Sequence, residues 1–148
     1  MKNNLIAVID NDELDRYIYK KIILLTCPNY RFIDFSNGLE ALNYFKVNAH
    51  NVNNLPDIVL LDVRMPFLNG WQYLEKYCEI KPELAKNTRH YVCSASMERF
   101  DLDFRNSNLY GYFMKPISPQ DVLKIIEDTG ENQAEDDLFN FSRGRKAN

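Results

Sequence analysis

Four short apolar runs in this chain each lead into residues that can do chemistry. Leu5 to Ile9 leads into Asp10-Asn11-Asp12, Ile58 to Leu61 into Asp62, His90 to Cys93 into Ser94-Ala95, and Tyr112 to Met114 into Lys115-Pro116. If these endings converge, they bring together three carboxylates, a hydroxyl and an ammonium. Asp10, Asp12 and Asp62 at close quarters repel one another and raise each other's pKa unless a cation sits among them. Hard oxygen ligands with gaps for water suit Mg²⁺, which prefers one or two carboxylates plus phosphate oxygen. A carboxylate beside Mg²⁺ and a lysine is a nucleophile toward phosphorus. Mg²⁺ and Lys115 would neutralise charge growing on the transferred phosphoryl oxygens. Ser94 can donate a hydrogen bond to one of them, and Ala95 leaves space for the group to enter.

Taken singly, these residues say little. An Asp at a helix start is usually a cap, which is the ordinary reading of Asp12. A Lys-Pro pair is usually a turn, and a lone Ser means almost nothing. The combination carries the signal, because each residue ends a different apolar run and the order is compatible with one site.

The elements that must position them alternate along the chain. Leu5 to Ile9 reads as a buried strand. A helix capped by Asp12 follows, with an apolar stripe through Leu14, Tyr17, Ile18, Ile22 and Leu25, ended by Cys27-Pro28-Asn29. Tyr30 to Phe35 is a strand. Ser36 or Asn37 caps a helix with Leu39, Leu42 and Phe45 inward. A polar loop around His50 to Asn54 precedes the run ending at Asp62. Gly70 to Ile80 is helical through Trp71, Leu74 and Cys78. His90 to Cys93 is a strand, Met97 to Asn108 an ambiguous short helix, and Tyr112 to Met114 the last strand. A final helix has Ser118 at its cap, Pro119 in its first turn, Asp121 three residues after the cap, a stripe of Val122, Ile125 and Ile126, and a stop at Gly130. This order predicts an α/β, doubly wound (βα)5 fold of three layers. Its five-stranded parallel sheet is expected in the order 2-1-3-4-5, with the site at the carboxyl ends of the strands.

Several motifs resemble those of response regulator receiver domains. Pro56-Asp-Ile-Val-Leu-Leu-Asp-Val-Arg-Met-Pro-Phe-Leu-Asn-Gly70 is similar to their phosphorylation-site signature. The acidic start Val8-Ile-Asp-Asn-Asp12, the pair Ser94-Ala95 and the pair Lys115-Pro116 match in order and spacing. The resemblance covers about residues 4–129 and is to the single-domain chemotaxis-regulator-like type. It implies a flavodoxin-like fold and a phospho-accepting signalling domain, not an enzyme in its own right. Asp62 would be the phospho-acceptor. Asp10, Asn11, Asp62 and the backbone carbonyl of Arg64 would hold Mg²⁺, with Mn²⁺ as a substitute. Ser94 would be the switch hydroxyl, Tyr112 the aromatic that turns with it, and Lys115 the partner of the phosphate. Ser94, Ala95 and Lys115 would contact the phosphoryl group. Lys115-Pro116 would be a cis peptide, and Met65-Pro66 through Gly70 the turn after Asp62. The expected partners are a sensor histidine kinase or phosphotransfer protein and an unidentified downstream protein. Where the family usually has a second acid this chain has Asn11, which implies weaker Mg²⁺ binding.

Bulk composition agrees with one ordinary domain. The chain has 148 residues, 45% hydrophobic and 26% charged, with a net charge of -3. That balance does not suggest direct nucleic-acid binding. Cys27, Cys78 and Cys93 form no C-x-x-C pair, so they read as buried free thiols in a reducing cytoplasm. The apolar run Leu5 to Ile9 is too short for a signal peptide or a membrane helix. Residues 130–148 read as a short polar tail without an effector domain. Two rivals share some motifs. A haloacid-dehalogenase-type hydrolase would use Asp10-Asn-Asp12 as its nucleophile motif, but needs an acidic pair on a further strand after Lys115. A pseudo-receiver would be an interaction module that never takes phosphate, and Asn11 is its support.

Overall fold

A computed structural model describes residues 4–95 and 109–128. The strands are β1 (Leu5–Ile9), β2 (Arg31–Phe35), β3 (Ile58–Leu61), β4 (Arg89–Ser94) and β5 (Leu109–Met114). The helices are α1 (Glu13–Thr26), α2 (Gly38–Val47), α3 (Gly70–Ile80) and a last helix, α4, described over residues 119–128. The sheet is parallel throughout, in the order β2-β1-β3-β4-β5. The helix expected over Met97 to Asn108 and the tail from residue 130 lie outside the described residues. No described helix is long and apolar enough to cross a membrane.

Strand alternation sorts the core into two layers. Ala7, Ile9, Val59, Leu61 and Val92 face α2 and α3, where they meet Ala41, Phe45, Leu74 and Tyr77. Ile6, Val8, Ile58, Leu60 and Cys93 face the opposite way, onto Tyr19 and Ile23 of α1 and Val122 and Ile125 of α4. Successive strand residues point to opposite faces, and both faces are covered, which is why these strands read as unbroken apolar runs.

The expected helix faces need correction. In α1 the buried residues are Tyr19 and Ile23, with Ile22 partly buried. Leu14 is 65% exposed and Leu25 83%, and Tyr17 and Ile18 are also exposed. The stripe that meets the sheet starts one residue later, at Asp15, and runs through Tyr19 and Ile22/Ile23. α1 carries apolar residues over so wide an arc that periodicity alone did not choose between adjacent faces. In α2, Leu42 and Phe45 are buried as expected, but Leu39 is exposed and Ala41 takes the inward place. In α3, Leu74 is buried, whereas Trp71 and Cys78 are only half-buried. Tyr73 and Tyr77 point inward instead. Their hydroxyls are satisfied there: Tyr73 pairs with His90 Nε2 at 2.9 Å, and Tyr77 accepts from the Thr88 N–H at 3.1 Å.

Two strands begin earlier than the apolar runs suggest. β4 opens on Arg89, which is buried with its guanidinium over the Tyr110 ring at 4.4 Å. β5 opens on Leu109 and passes through Gly111. A Cβ at Gly111 would stand 2.9 Å from the Tyr91 ring, so close packing explains the glycine. All three cysteines are free. Cys27 and Cys93 are buried as expected, and Cys78 is intermediate.

Candidate functional site

The parallel sheet brings the expected residues to one rim. Asp10 follows β1, Asp62 follows β3, Ser94 ends β4 and Lys115 follows β5. The Lys115 ammonium stands 2.7 Å from Asp10 Oδ2 and 3.4 Å from Asp62 Oδ1. Both carboxylates are buried, and so is Ser94. The Lys115 N–H donates to the Ser94 carbonyl at 2.7 Å, which ties the fourth and fifth strand ends together. Lys115-Pro116 is a cis peptide.

Charge at the rim is crowded. Burial pushes the Asp62 carboxyl up to about 6, and the Asp10 charge adds to the rise. Lys115 and the Arg64 N–H pull it back. The Asp10 carboxyl is also raised, first by burial, although Lys115 and the Asp12 N–H oppose this. Burial disfavours the Lys115 ammonium, but its hydrogen bonds to carboxylates outweigh that and raise its pKa. Two acids held partly against their will are what a divalent cation would relieve.

Asp12 does not join the acids. It is the cap of α1, accepting from the N–H groups of Leu14 at 2.9 Å and Asp15 at 3.3 Å. Asn11 is exposed between Asp10 and Asp12. Among the described residues, no group of three or more His, Cys, Asp and Glu side chains is arranged to hold a metal. In the expected metal set the carboxylates of Asp10 and Asp62 would be the charged donors, and the Asn11 amide and the Arg64 carbonyl would be neutral ones. Asp10 and Asp62 keep free lone pairs for this, since one protein donor leaves a carboxylate oxygen able to accept again. Ala95 is exposed at the rim. Tyr112 is partly buried, packed against the α2/α3 side of the core.

The loop after Asp62 is built tightly. Met65 is buried, and Leu68 N–H donates to the Pro66 carbonyl at 2.7 Å. Gly70 N–H returns to the Val63 carbonyl at 2.8 Å. Asn69 and Gln72 then form a reciprocal capping box that starts α3. A Cβ on Gly70 would lie 2.7 Å from the Asp62 carbonyl oxygen and 2.9 Å from Val63 Cα. Both are backbone atoms, so neither can swing aside. Gly70→Ala is expected to cost about 1–3 kcal/mol of stability as an overpacking change. Urea unfolding followed by tryptophan fluorescence would show this, and an unchanged midpoint would contradict it.

Two residues at the rim escaped the sequence reading. Asp15 Oδ2 is 2.9 Å from the Lys115 ammonium. Arg16 reaches back to the Asp10 carbonyl at 2.7 Å and pairs with Asp34 at 2.9 Å. Placing the α1 stripe on Asp15, Tyr19 and Ile22/Ile23 would have put Asp15 against the sheet end. The apolar pattern pointed one residue away and concealed it.

Comparison with known proteins shows the fold and the family. The chain is 30% identical over 125 residues to the positive alginate biosynthesis regulatory protein of Pseudomonas aeruginosa, covering 82% of this chain and 45% of that one. It is 26% identical over 123 residues to chemotaxis protein CheY of Thermotoga maritima, covering 82% and 92%. A CheY-like receiver domain structure from Methanospirillum hungatei superposes with a TM-score of 0.70 at 23% identity, covering 89% of this chain and 98% of that one. The chain spans less than half the length of several curated relatives that it matches. The model of the response regulator receiver domain matches residues 6–127, and the chain belongs to that family.

Proposed function

We propose that this domain is a phospho-accepting switch in two-component signalling, with Asp62 as the acceptor. The observation that carries the reading is Lys115, whose ammonium lies within ion-pair reach of both Asp10 and Asp62. A phosphohistidine on a sensor histidine kinase or phosphotransfer protein is the donor. A carboxylate oxygen of Asp62 forms the new O–P bond as the P–N bond breaks. The electron pair leaves with the imidazole, which takes a proton from water.

Asp10, Asp62, the Arg64 carbonyl and the Asn11 amide oxygen would hold Mg²⁺, or Mn²⁺ in its place, which when bound supplies positive charge to the phosphoryl oxygens. Lys115 supplies charge from the other side and orients the acceptor. Ser94 would turn its hydroxyl to a phosphoryl oxygen, and Ala95 leaves the entry open. The aspartyl phosphate adds about -1.5 to -2 charges and strong acceptor oxygens, by analogy with other phosphorylated side chains. Drawing Ser94 and Lys115 toward them biases the β4 and β5 ends, with Tyr112 turning to fill the space left. The result is a population shift read by a downstream protein. Three free thiols support a reducing compartment such as the cytoplasm.

Incubating the chain with acetyl phosphate and Mg²⁺ and weighing it intact tests the reading. A gain of one phosphoryl mass is expected from the parent and none from Asp62→Asn. No gain by the parent would leave an interaction module that takes no phosphate, the reading that Asn11 favours. Because Asn11 brings no charge, Asn11→Asp is expected to tighten Mg²⁺ binding about tenfold, or about 1.4 kcal/mol. Titration against Trp71 fluorescence measures it, and unchanged affinity would mean that the metal does not use position 11.

A further inference from the structure

Lys115 has one more carboxylate partner than phosphate acceptance explains. Its ammonium donates to Asp10 at 2.7 Å and Asp15 at 2.9 Å, and Asp62 lies farther off at 3.4 Å. Asp10 and Asp62 come from strand ends, but Asp15 comes from the first turn of α1. It therefore draws the ammonium toward that helix.

An ammonium has three N–H groups to give. A phosphoryl group on Asp62 would bring strong acceptor oxygens into the same space. Two of the three N–H groups go to Asp10 and Asp15, so the ammonium has one to offer these oxygens as it stands and can move onto them only by loosening one of its present bonds. Leaving Asp10 would take its ammonium partner from a carboxylate whose side chain is 1% exposed and which water cannot reach, so that only a bound cation would be left to balance it. Leaving Asp15 is different. Its side chain is 33% exposed and borders an open cavity of about 300 Å³ that it shares with Tyr19, Ala95, Lys115 and Ile117. Water can solvate the released carboxylate there without any repacking.

We infer that Asp15 is a positioning residue for Lys115: it holds the ammonium toward α1 at rest and competes for it with phosphoryl oxygens on Asp62. This rests on the phospho-acceptor reading above. Asp15 thereby weakens the phosphoryl-bound state and sets how readily the switch turns on. Glu13 provides a control, because it is an exposed carboxylate in the same helical turn with no ion pair to Lys115 among the described contacts.

The test is equilibrium binding of beryllofluoride, a phosphoryl mimic, to the full chain with Mg²⁺, read by tryptophan and tyrosine fluorescence. Asp15→Asn is expected to bind about three- to fivefold more tightly than the parent, the size of a partly exposed ion pair. Asp15→Ala should match it, which guards against a new hydrogen bond from the amide. Glu13→Gln should leave the affinity unchanged. Circular dichroism confirms that each variant is folded. Unchanged or weaker binding by both Asp15 variants overturns the inference, as does an equal gain from Glu13→Gln, which would mean only a general charge effect. Binding by the parent with no Asp15 effect sinks this inference alone. No binding by the parent sinks the phospho-acceptor reading and this inference with it.

Discussion

Asp62→Asn is expected to raise the unfolding temperature at about pH 8 in metal-free buffer. The folded protein holds the Asp62 carboxyl at about 6 against an ordinary value of 3.8, mainly through burial and then through the Asp10 charge. Its folded pKa is raised, so folding favours the protonated form. The stabilising contribution of that proton is complete below about 3.8 and is lost as the pH rises through about 6. Above that, the ionised carboxylate costs up to about 3 kcal/mol, at about 1.4 kcal/mol per pH unit. An amide of nearly the same shape avoids this cost. The gain should be largest at about pH 8, fade toward pH 4, and shrink when Mg²⁺ is added to both proteins, because a cation relieves the parent. Thermal melts across that range measure it. A variant less stable than its parent at pH 8, or a gain that is the same at pH 4, would contradict the electrostatic picture of the rim.

Lys115→Met should act in the opposite direction and more strongly. It leaves Asp10 and Asp62 buried against each other with their shared ammonium removed. Breaking a buried pair by removing one partner costs about 3–5 kcal/mol. The pKa of Lys115 is raised above its ordinary 10.5, so its contribution is complete below that value and declines only in strong alkali. Any pH dependence of the loss at lower pH must therefore come from the carboxylates. The penalty should be greatest above about pH 6 and diminish below it, as Asp62 takes a proton. Adding Asp62→Asn to Lys115→Met should restore part of the stability, a coupling that is expected only between neighbours. Urea unfolding at about pH 7.5 and pH 5 provides the comparison. An equal loss at both values would mean that Lys115 matters for packing and not for charge.

These effects concern residues that the sequence made visible through strand endings. Parallel strands covered on both faces are short unbroken apolar runs, so Ile58–Leu61 announces both β3 and the position of Asp62. Alternation of strands and helices then puts all such endings on one rim, which is why the sequence alone groups Asp10, Asp62, Ser94 and Lys115. The helices were harder to read. In α1, Leu14, Tyr17, Ile18, Leu24 and Leu25 stay exposed, and the true inward stripe begins on a charged residue, Asp15. A hydrophobic pattern cannot find a helix face whose first member is held by an ion pair. The same reason hid the start of β4, where Arg89 is buried on an aromatic ring, and the inward tyrosines of α3, whose hydroxyls need Thr88 and His90. In these three places a polar partner, not apolar periodicity, decides what is buried.

The phospho-acceptor reading and a hydrolase with its nucleophile at Asp10 predict different modified residues. Asp10 gives one oxygen to the Asp12 N–H at 2.9 Å and the other to Lys115 at 2.7 Å, whereas Asp62 accepts from the Arg64 N–H and stands 3.4 Å from Lys115. Under the phospho-acceptor reading the carboxylate farther from the ammonium, Asp62, is the one that attacks. Treating the chain with acetyl phosphate and Mg²⁺, reducing it with borohydride and reading the peptides by mass spectrometry would locate the acyl phosphate, because the modified aspartate becomes homoserine. Homoserine at position 62 alone is the expected result; homoserine at position 10, or nowhere, would contradict it.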